Sequence, residues 1–100
     1  MSYDDAVNTL LQEPGVNAST MMNSPCLRYH DAFIAMRFEK EDALIIKVSS
    51  ERVQDLIAEG TGRPFNFTKK TFKEWVLIPP AYEADYENYI REAIAYAKQS

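Results

Sequence analysis

Residues 32–48 read AFIAMRFEKEDALIIKV, two apolar runs separated by four charged residues. Runs of this length that are rich in Ile, Val and Phe are typical of strands, and the short charged break between them indicates a β-hairpin. Alternate residues of a strand share a face, and one face of the second run holds Leu44, Ile46 and Val48. We expect this face to lie in a core and the opposite face, which ends in Lys47, to be half polar.

Three helices are predicted to pack around this hairpin. Residues 3–12 carry an apolar stripe that ends at Pro14-Gly15, and residues 50–59 follow a capping serine, either Ser49 or Ser50, and precede Gly60. Residues 81–98 begin after Pro79-Pro80, which suits a helix start. The apolar stripe of this third helix is Tyr82, Tyr86, Tyr89, Ile90, Ala93 and Ala97.

The remaining strands are predicted at residues 16–22, 26–29 and 72–78. The last of these is apolar on both faces at Trp75 to Ile78, which is typical of a strand inside a sheet. Residues 60–71 are predicted to form a long loop in which Gly62 is a turn residue. The sequence therefore predicts an α+β fold with the order α-β-β-β-β-α-β-α. Its antiparallel sheet has four or five strands, with helices mainly on one face.

The amino-acid composition excludes several classes of protein. One hundred residues, 46% hydrophobic and 26% charged, predict a single soluble globular domain over residues 1–100. The net charge of −4 argues against a protein that coats nucleic acid. The single cysteine cannot form an internal disulfide, and neither a signal peptide nor a membrane-spanning stretch is recognisable. We expect a cytoplasmic protein that does not insert into membranes.

No residue pattern predicts catalysis. Cys26 and His30 would lie roughly 13 Å apart on one extended strand, too far for a nucleophile and its base. One Cys and one His cannot complete a usual zinc site, and Gly60-Thr61-Gly62-Arg63 lacks the features of a phosphate-binding loop. We therefore predict a protein that is not an enzyme, with no catalytic residue, no metal ligand and no cofactor.

The segment from Arg63 to Trp75 is the most distinctive polar feature. It holds four basic residues against the single acidic Glu74, a local charge of +3 in an acidic protein. The candidate binding residues are Arg63, Lys69, Lys70 and Lys73. Because Phe65, Phe67, Phe72 and Trp75 are interleaved with them, the segment could neutralise phosphates and stack bases of a single-stranded nucleic acid. Alternatively, the aromatic residues anchor the segment in the core and the basic residues are merely solvated.

Several short motifs, taken in order, resemble the N-terminal domain of the TfoX/Sxy competence regulators. These are the hairpin leading into Lys47-Val48, then Arg63-Pro64-Phe65, then Glu74-Trp75-Val76 before Pro79-Pro80. That family is similar to the YjbR/MmcQ group, which has a CyaY-like α+β fold. The resemblance covers nearly the whole chain. It implies a stand-alone, non-catalytic regulatory or interaction domain linked to transcription regulation through a protein or nucleic-acid partner.

A second class of function stays open. The similarity to the CyaY fold implies a metal-binding alternative, with iron held by Asp4, Asp5 and Glu13 on the first helix. A large dry pocket between the sheet and the third helix would instead favour an apolar small ligand. Whether the chain is a monomer or a homodimer is also open at this point.

Overall fold

A computed structural model describes residues 3–21, 24–38, 40–67 and 70–99. These residues form three α-helices, one 3-10 helix and a six-stranded sheet. The elements in chain order are α1 (Tyr3–Leu10), β1 (Val16–Met21), β2 (Ser24–Tyr29), β3 (Ala32–Phe38), β4 (Ala43–Lys47), α2 (Ser50–Ala58), β5 (Arg63–Phe67), β6 (Lys70–Ile78), a 3-10 helix (Pro80–Asp85) and α3 (Tyr86–Gln99).

All neighbouring strands are antiparallel, in the order β1-β2-β3-β4-β6-β5. The predicted α+β class with an antiparallel sheet and helices at both ends and in the middle is therefore confirmed. The central hairpin is present as β3 and β4, with Phe38 opposite Ala43. The strand that contains Trp75 is internal, between β4 and β5.

The predicted loop at residues 60–71 was wrong, because part of it is a sixth strand. Residues 63–67 form β5, and β6 begins at Lys70 instead of residue 72. The register shifts between Pro64 and Asn66, so β5 lacks the strict alternation by which strands are recognised. An edge strand needs hydrogen bonds on only one side, which is why it accommodates Pro64.

Two further boundaries differ from the prediction. The strand predicted at residues 26–29 begins earlier, at Ser24, so Pro25 lies in β2, where its missing N–H is tolerated because the ladder with β3 begins only at Cys26. The third helix is divided: a 3-10 helix with non-helical backbone at Tyr82 precedes α3. As a result Tyr82 is exposed, whereas Tyr86 is buried as expected.

The three helices pack on one side of the sheet. The larger core cluster contains all the buried helical residues, among them Leu10, Leu56 and Ile90, together with Leu44, Ile46 and Val48. Ser49 caps α2 by accepting a hydrogen bond from the backbone N–H of Arg52 at 3.2 Å. The predicted core face of β4 is thus confirmed.

The opposite side of the sheet, hereafter the helix-free face, has its own core. This second cluster contains strand residues only: Cys26, Phe33, Met36, Ala43, Ile45, Phe65 and Leu77. This face of β4 carries the polar Lys47, which is partly exposed as expected, but its apolar residues Ala43 and Ile45 are fully buried. Phe38 and Trp75 pack against this cluster and are only partly buried.

Candidate functional site

Four of the aromatic rings that the structure describes form a continuous layer on the helix-free face. The indole of Trp75 stacks on Phe33 with 4.5 Å between ring centroids, and it lies 5.7 Å from Phe65. Phe38 meets Phe65 edge-on at 5.4 Å. Phe33 and Phe65 are buried, whereas Trp75 and Phe38 remain partly exposed. The layer therefore presents aromatic surface to solvent mainly at Trp75 and Phe38.

Two of the predicted basic residues lie beside this layer. Arg63 is opposite Leu77 in the β5–β6 ladder, and Lys73 shares the face of Trp75 because it precedes it by two residues. Both side chains are exposed. Lys73 is four residues from Leu77 along β6, so the two charges are separated by roughly 13 Å along the strand direction.

The other two predicted residues give less information. Lys69 lies outside the described residues. Lys70 begins β6 and its backbone pairs with Phe67, but its side chain is outside the described part of the structure. Of the four predicted binding residues, the structure therefore places the side chains of Arg63 and Lys73 only. Phe65 anchors β5 in the core, as the alternative interpretation of the segment expected.

Sequence reasoning missed two basic residues on the same face. Arg28 is paired with Phe33 and Lys47 is paired with Trp75, and cross-strand partners share a face. Both side chains are partly exposed. Lys47 was predicted on the half-polar face of β4, so its strand alternation was the available signal. That it lies next to Trp75 depends on the pairing of β4 with β6, which local sequence does not reveal.

The charged strand side chains on the helix-free face are of one sign. Among the strand side chains described on the helix-free face, every charged one is basic: Arg28, Lys47, Arg63 and Lys73. Acidic partners lie at its margin. Glu41 is 3.7 Å from Arg63, and Glu74 is 3.9 Å from Lys47. Arg28 donates to the backbone oxygen of Asp31 at 2.9 Å.

These contacts are weak restraints on the basic side chains. An exposed ion pair near 4 Å contributes about 0–1 kcal/mol, so an anionic ligand can replace it. The side chain of Arg63 is 65% exposed. The helix-free face thus combines replaceable cations with a partly exposed indole, the two groups that bind phosphates and bases respectively.

The residues of the metal-binding alternative do not come together as a ligand set. Glu13 is bound by Arg91, with 2.9 Å between Oε1 and Nη1, and Asp4 and Asp5 lie in the first turn of α1. Negative charge there is favoured by the helix dipole. Within the described ranges, no group of three or more His, Cys, Asp or Glu residues is arranged to hold a metal ion.

The apolar-ligand alternative also finds little support. A cleft of about 330 Å³ lies between α2 and α3, and its lining combines Val48 and Ala95 with the polar side chains of Ser49, Arg52 and Glu92. Arg52 and Glu92 form a two-pronged ion pair there, at 2.8 and 3.2 Å. This cleft is charged and open rather than dry.

Burial changes the acidity of several tyrosines on the helix side of the sheet. It raises the pKa of Tyr86 to about 12, and the hydroxyl donates to the backbone oxygen of Ile78 at 3.1 Å. Burial also raises the pKa of Tyr3, whose hydroxyl donates to Pro25 at 3.3 Å. Both groups hold their protons and serve structural hydrogen bonds.

Comparisons with protein-family models, with curated proteins and with solved structures found no match. The resemblance to the TfoX/Sxy domain therefore stays a prediction from sequence motifs. No helix within the described ranges is long and apolar enough to cross a membrane.

Proposed function

We propose that this chain is a non-catalytic cytoplasmic interaction domain, of the TfoX N-terminal type, that binds single-stranded nucleic acid on its helix-free face. The observation that carries the proposal is the single sign of the charge on this face: in a protein of net charge −4, the described charged strand side chains of this face are all basic. A regulatory role linked to transcription follows from the family resemblance and is part of the same proposal.

Each element of the face has a role in this proposal. Arg28, Lys47, Arg63 and Lys73 neutralise phosphates, and Trp75 offers a base a stacking surface. The geometry favours a single strand, because bases of a duplex are already stacked and cannot reach an indole on a sheet face. A protein partner is the other macromolecule that the resemblance implies, and an acidic peptide is the form of it that this charge would attract.

The test is a binding titration with a fluorescent oligothymidylate of about a dozen nucleotides, a length that matches the usual single-stranded site size. We expect binding at low salt that weakens steeply between about 50 and 200 mM salt, with a slope of log K against log salt near −0.7 for each phosphate contacted. With four cations engaged, the slope approaches roughly −3.

Variants locate the site. Arg63→Gln and Lys73→Gln should each weaken binding and reduce the slope by about 0.7. Lys98→Gln, in the last turn of α3 on the opposite side of the sheet, is the matched control and should change neither quantity. Loss of binding in the control to the same extent would contradict the assignment of the site.

Two other polyanions separate the alternatives. Inorganic polyphosphate of equal charge should bind more weakly than oligothymidylate, because it offers no base to Trp75. Polyglutamate that binds more tightly than oligothymidylate would indicate an acidic protein partner and would overturn the nucleic-acid proposal, as would no binding of the oligonucleotide at low salt.

A further inference from the structure

The two edges of the sheet differ in how they are protected. The β5 edge carries Arg63, Pro64 and a register shift, which are devices that prevent another strand from pairing. The β1 edge, residues VNASTM from Val16 to Met21, contains no charged residue and no proline, and its pairing with β2 has no register shift. Its residues 17–20 are all exposed.

The backbone of β1 has an identifiable outward side. The N–H of His30 donates to the oxygen of Gly15 at 3.0 Å, so residue 15 directs its carbonyl toward β2. Because hydrogen-bonding direction alternates along an antiparallel strand, residues 17 and 19 also face β2, while Val16, Ala18 and Thr20 face outward. The N–H of Val16 is taken by the oxygen of Glu13 at 3.2 Å, which agrees with this assignment.

We infer that β1 pairs with β1 of a second copy of this chain, antiparallel and about a two-fold axis. In such a pair each residue lies opposite a residue of the same strand, and a charged residue at or beside the axis would meet its own copy. A strand without charges avoids this repulsion. The partner favoured by the neutrality of β1 is therefore the same strand of another protomer.

The outward groups specify the register. Hydrogen-bonded pairs must join residues that both face outward, and only an axis beside Ala18 pairs all three outward residues, so Ala18 meets Ala18 of the partner subunit. Val16 then meets Thr20 of the partner subunit, and Asn17 meets Ser19 of the partner subunit. Since Val16 already donates its N–H to Glu13, about four main-chain hydrogen bonds join the two protomers.

The size of the contact sets the expected affinity. A single strand of six residues buries less than the roughly 1,200 Å² of a stable interface, so the dimer is weak and exchanges rapidly. We expect a dissociation constant between about 10 µM and 1 mM. This self-association does not depend on the nucleic-acid proposal, because β1 is at the opposite end of the sheet from β5 and β6.

Introducing a charge at Ala18 tests the pairing, because this residue meets its own copy across the axis. Ala18→Lys and Ala18→Glu should each abolish self-association in sedimentation equilibrium, since like charges would lie about 5 Å apart. An equimolar mixture of the two variants should associate again, as the axis then joins Lys to Glu. Ala58→Lys and Ala58→Glu, at an exposed position of α2, are matched controls that should associate as the original chain does.

Amide hydrogen exchange provides a second readout that does not require a variant. Raising the protein concentration through the dissociation constant should slow exchange at Ala18 and Thr20, while Asn17 and Ser19 keep the protection they already have from β2. A chain that stays monomeric at millimolar concentration would overturn the inference. So would a mixture of the two Ala18 variants that associates no better than either alone, or protection that appears elsewhere but not at Ala18 and Thr20.

Discussion

The indole of Trp75 lies nearly parallel to the ring of Phe33, with 25° between the planes and 4.5 Å between the centroids. This stack joins β3 to β6 across β4, whose Lys47 and Ile45 lie opposite Trp75 and Leu77. The helix-free face therefore depends on an aromatic contact between strands that are not neighbours in the sheet.

Phe33→Ala should destabilise the chain by about 3 kcal/mol, because a buried aromatic side chain is lost and the stack with it. Trp75 is the only tryptophan, so the emission of the folded variant should shift to longer wavelength. Urea unfolding followed by circular dichroism measures the free energy. Tyr82→Ala, at an exposed position, is the control and should stay within about 0.5 kcal/mol. An equal loss in both variants would contradict the role of the stack.

Gly62 is required by packing rather than by a turn, which corrects the sequence prediction. A Cβ at this position would lie 2.6 Å from Cγ2 of Val76, which is fully buried in β6. Gly62→Ala should therefore cost about 1–3 kcal/mol through overpacking.

A double-mutant cycle identifies the contact responsible. Val76→Ala removes the clashing methyl groups, so Gly62→Ala should cost at least about 1 kcal/mol less in that background. Additive effects in chemical denaturation would mean that Val76 is not the obstacle.

Tyr86 makes the stability sensitive to alkaline pH. Its pKa is raised from 10.0 to about 12, first by burial and then by the charges of Asp42 and Glu83. An unfolded tyrosine releases its proton near pH 10, while the folded one retains it. The contribution of Tyr86 to the free energy of unfolding is therefore fully present below pH 10 and is lost as the pH rises toward 12.

Tyr86→Phe should flatten this decline, because the variant has no proton to lose at this site. It should also cost about 1 kcal/mol at neutral pH, since the oxygen of Ile78 loses its donor. The measurement is thermal unfolding at several pH values between 8 and 12, with Tyr82→Phe as the exposed control. If Tyr86→Phe and the original chain lose stability in parallel, the titration of Tyr86 is not the cause.

The ion pair between Arg52 and Glu92 ties α2 to α3 in a fork geometry, with Nε and Nη2 each donating to a different carboxylate oxygen. A double-mutant cycle with alanine should give a coupling of about 0.5–1 kcal/mol that decreases in high salt. The pair of Arg37 and Asp42 uses one carboxylate oxygen and is more exposed, so its coupling should be smaller. Equal coupling in the two pairs would contradict this ranking.

Much of the fold could be predicted because the signals are local. The central hairpin, the capped helix α2 and the internal strand around Trp75 each follow from apolar periodicity and neighbouring Gly, Pro or Ser. The strand β5 could not, because its bulge breaks the alternation and its Pro64 resembles a loop residue. The division of helix three at Tyr82 likewise has no local signal beyond the preceding prolines.

The candidate site was only half predictable. Arg63 and Lys73 lie within one run of basic residues and could be found by composition, whereas Arg28 and Lys47 lie far from that run in sequence. What brings the four to one face is the pairing of β2 with β3 and of β4 with β6, and pairing over such separations is decided by how the strands pack as a whole.

By itself the sequence determined most of the helices and strands, with β5 and the division of the third helix as exceptions, and which side of β4 meets the helices, because these properties depend mainly on neighbours three or four residues away. Only the tertiary structure decided that the second side of the sheet is a partly exposed aromatic layer with cations beside it and that β1 is an edge strand. Both depend on strand order, and strand order is set by the joint burial of residues distant in the chain.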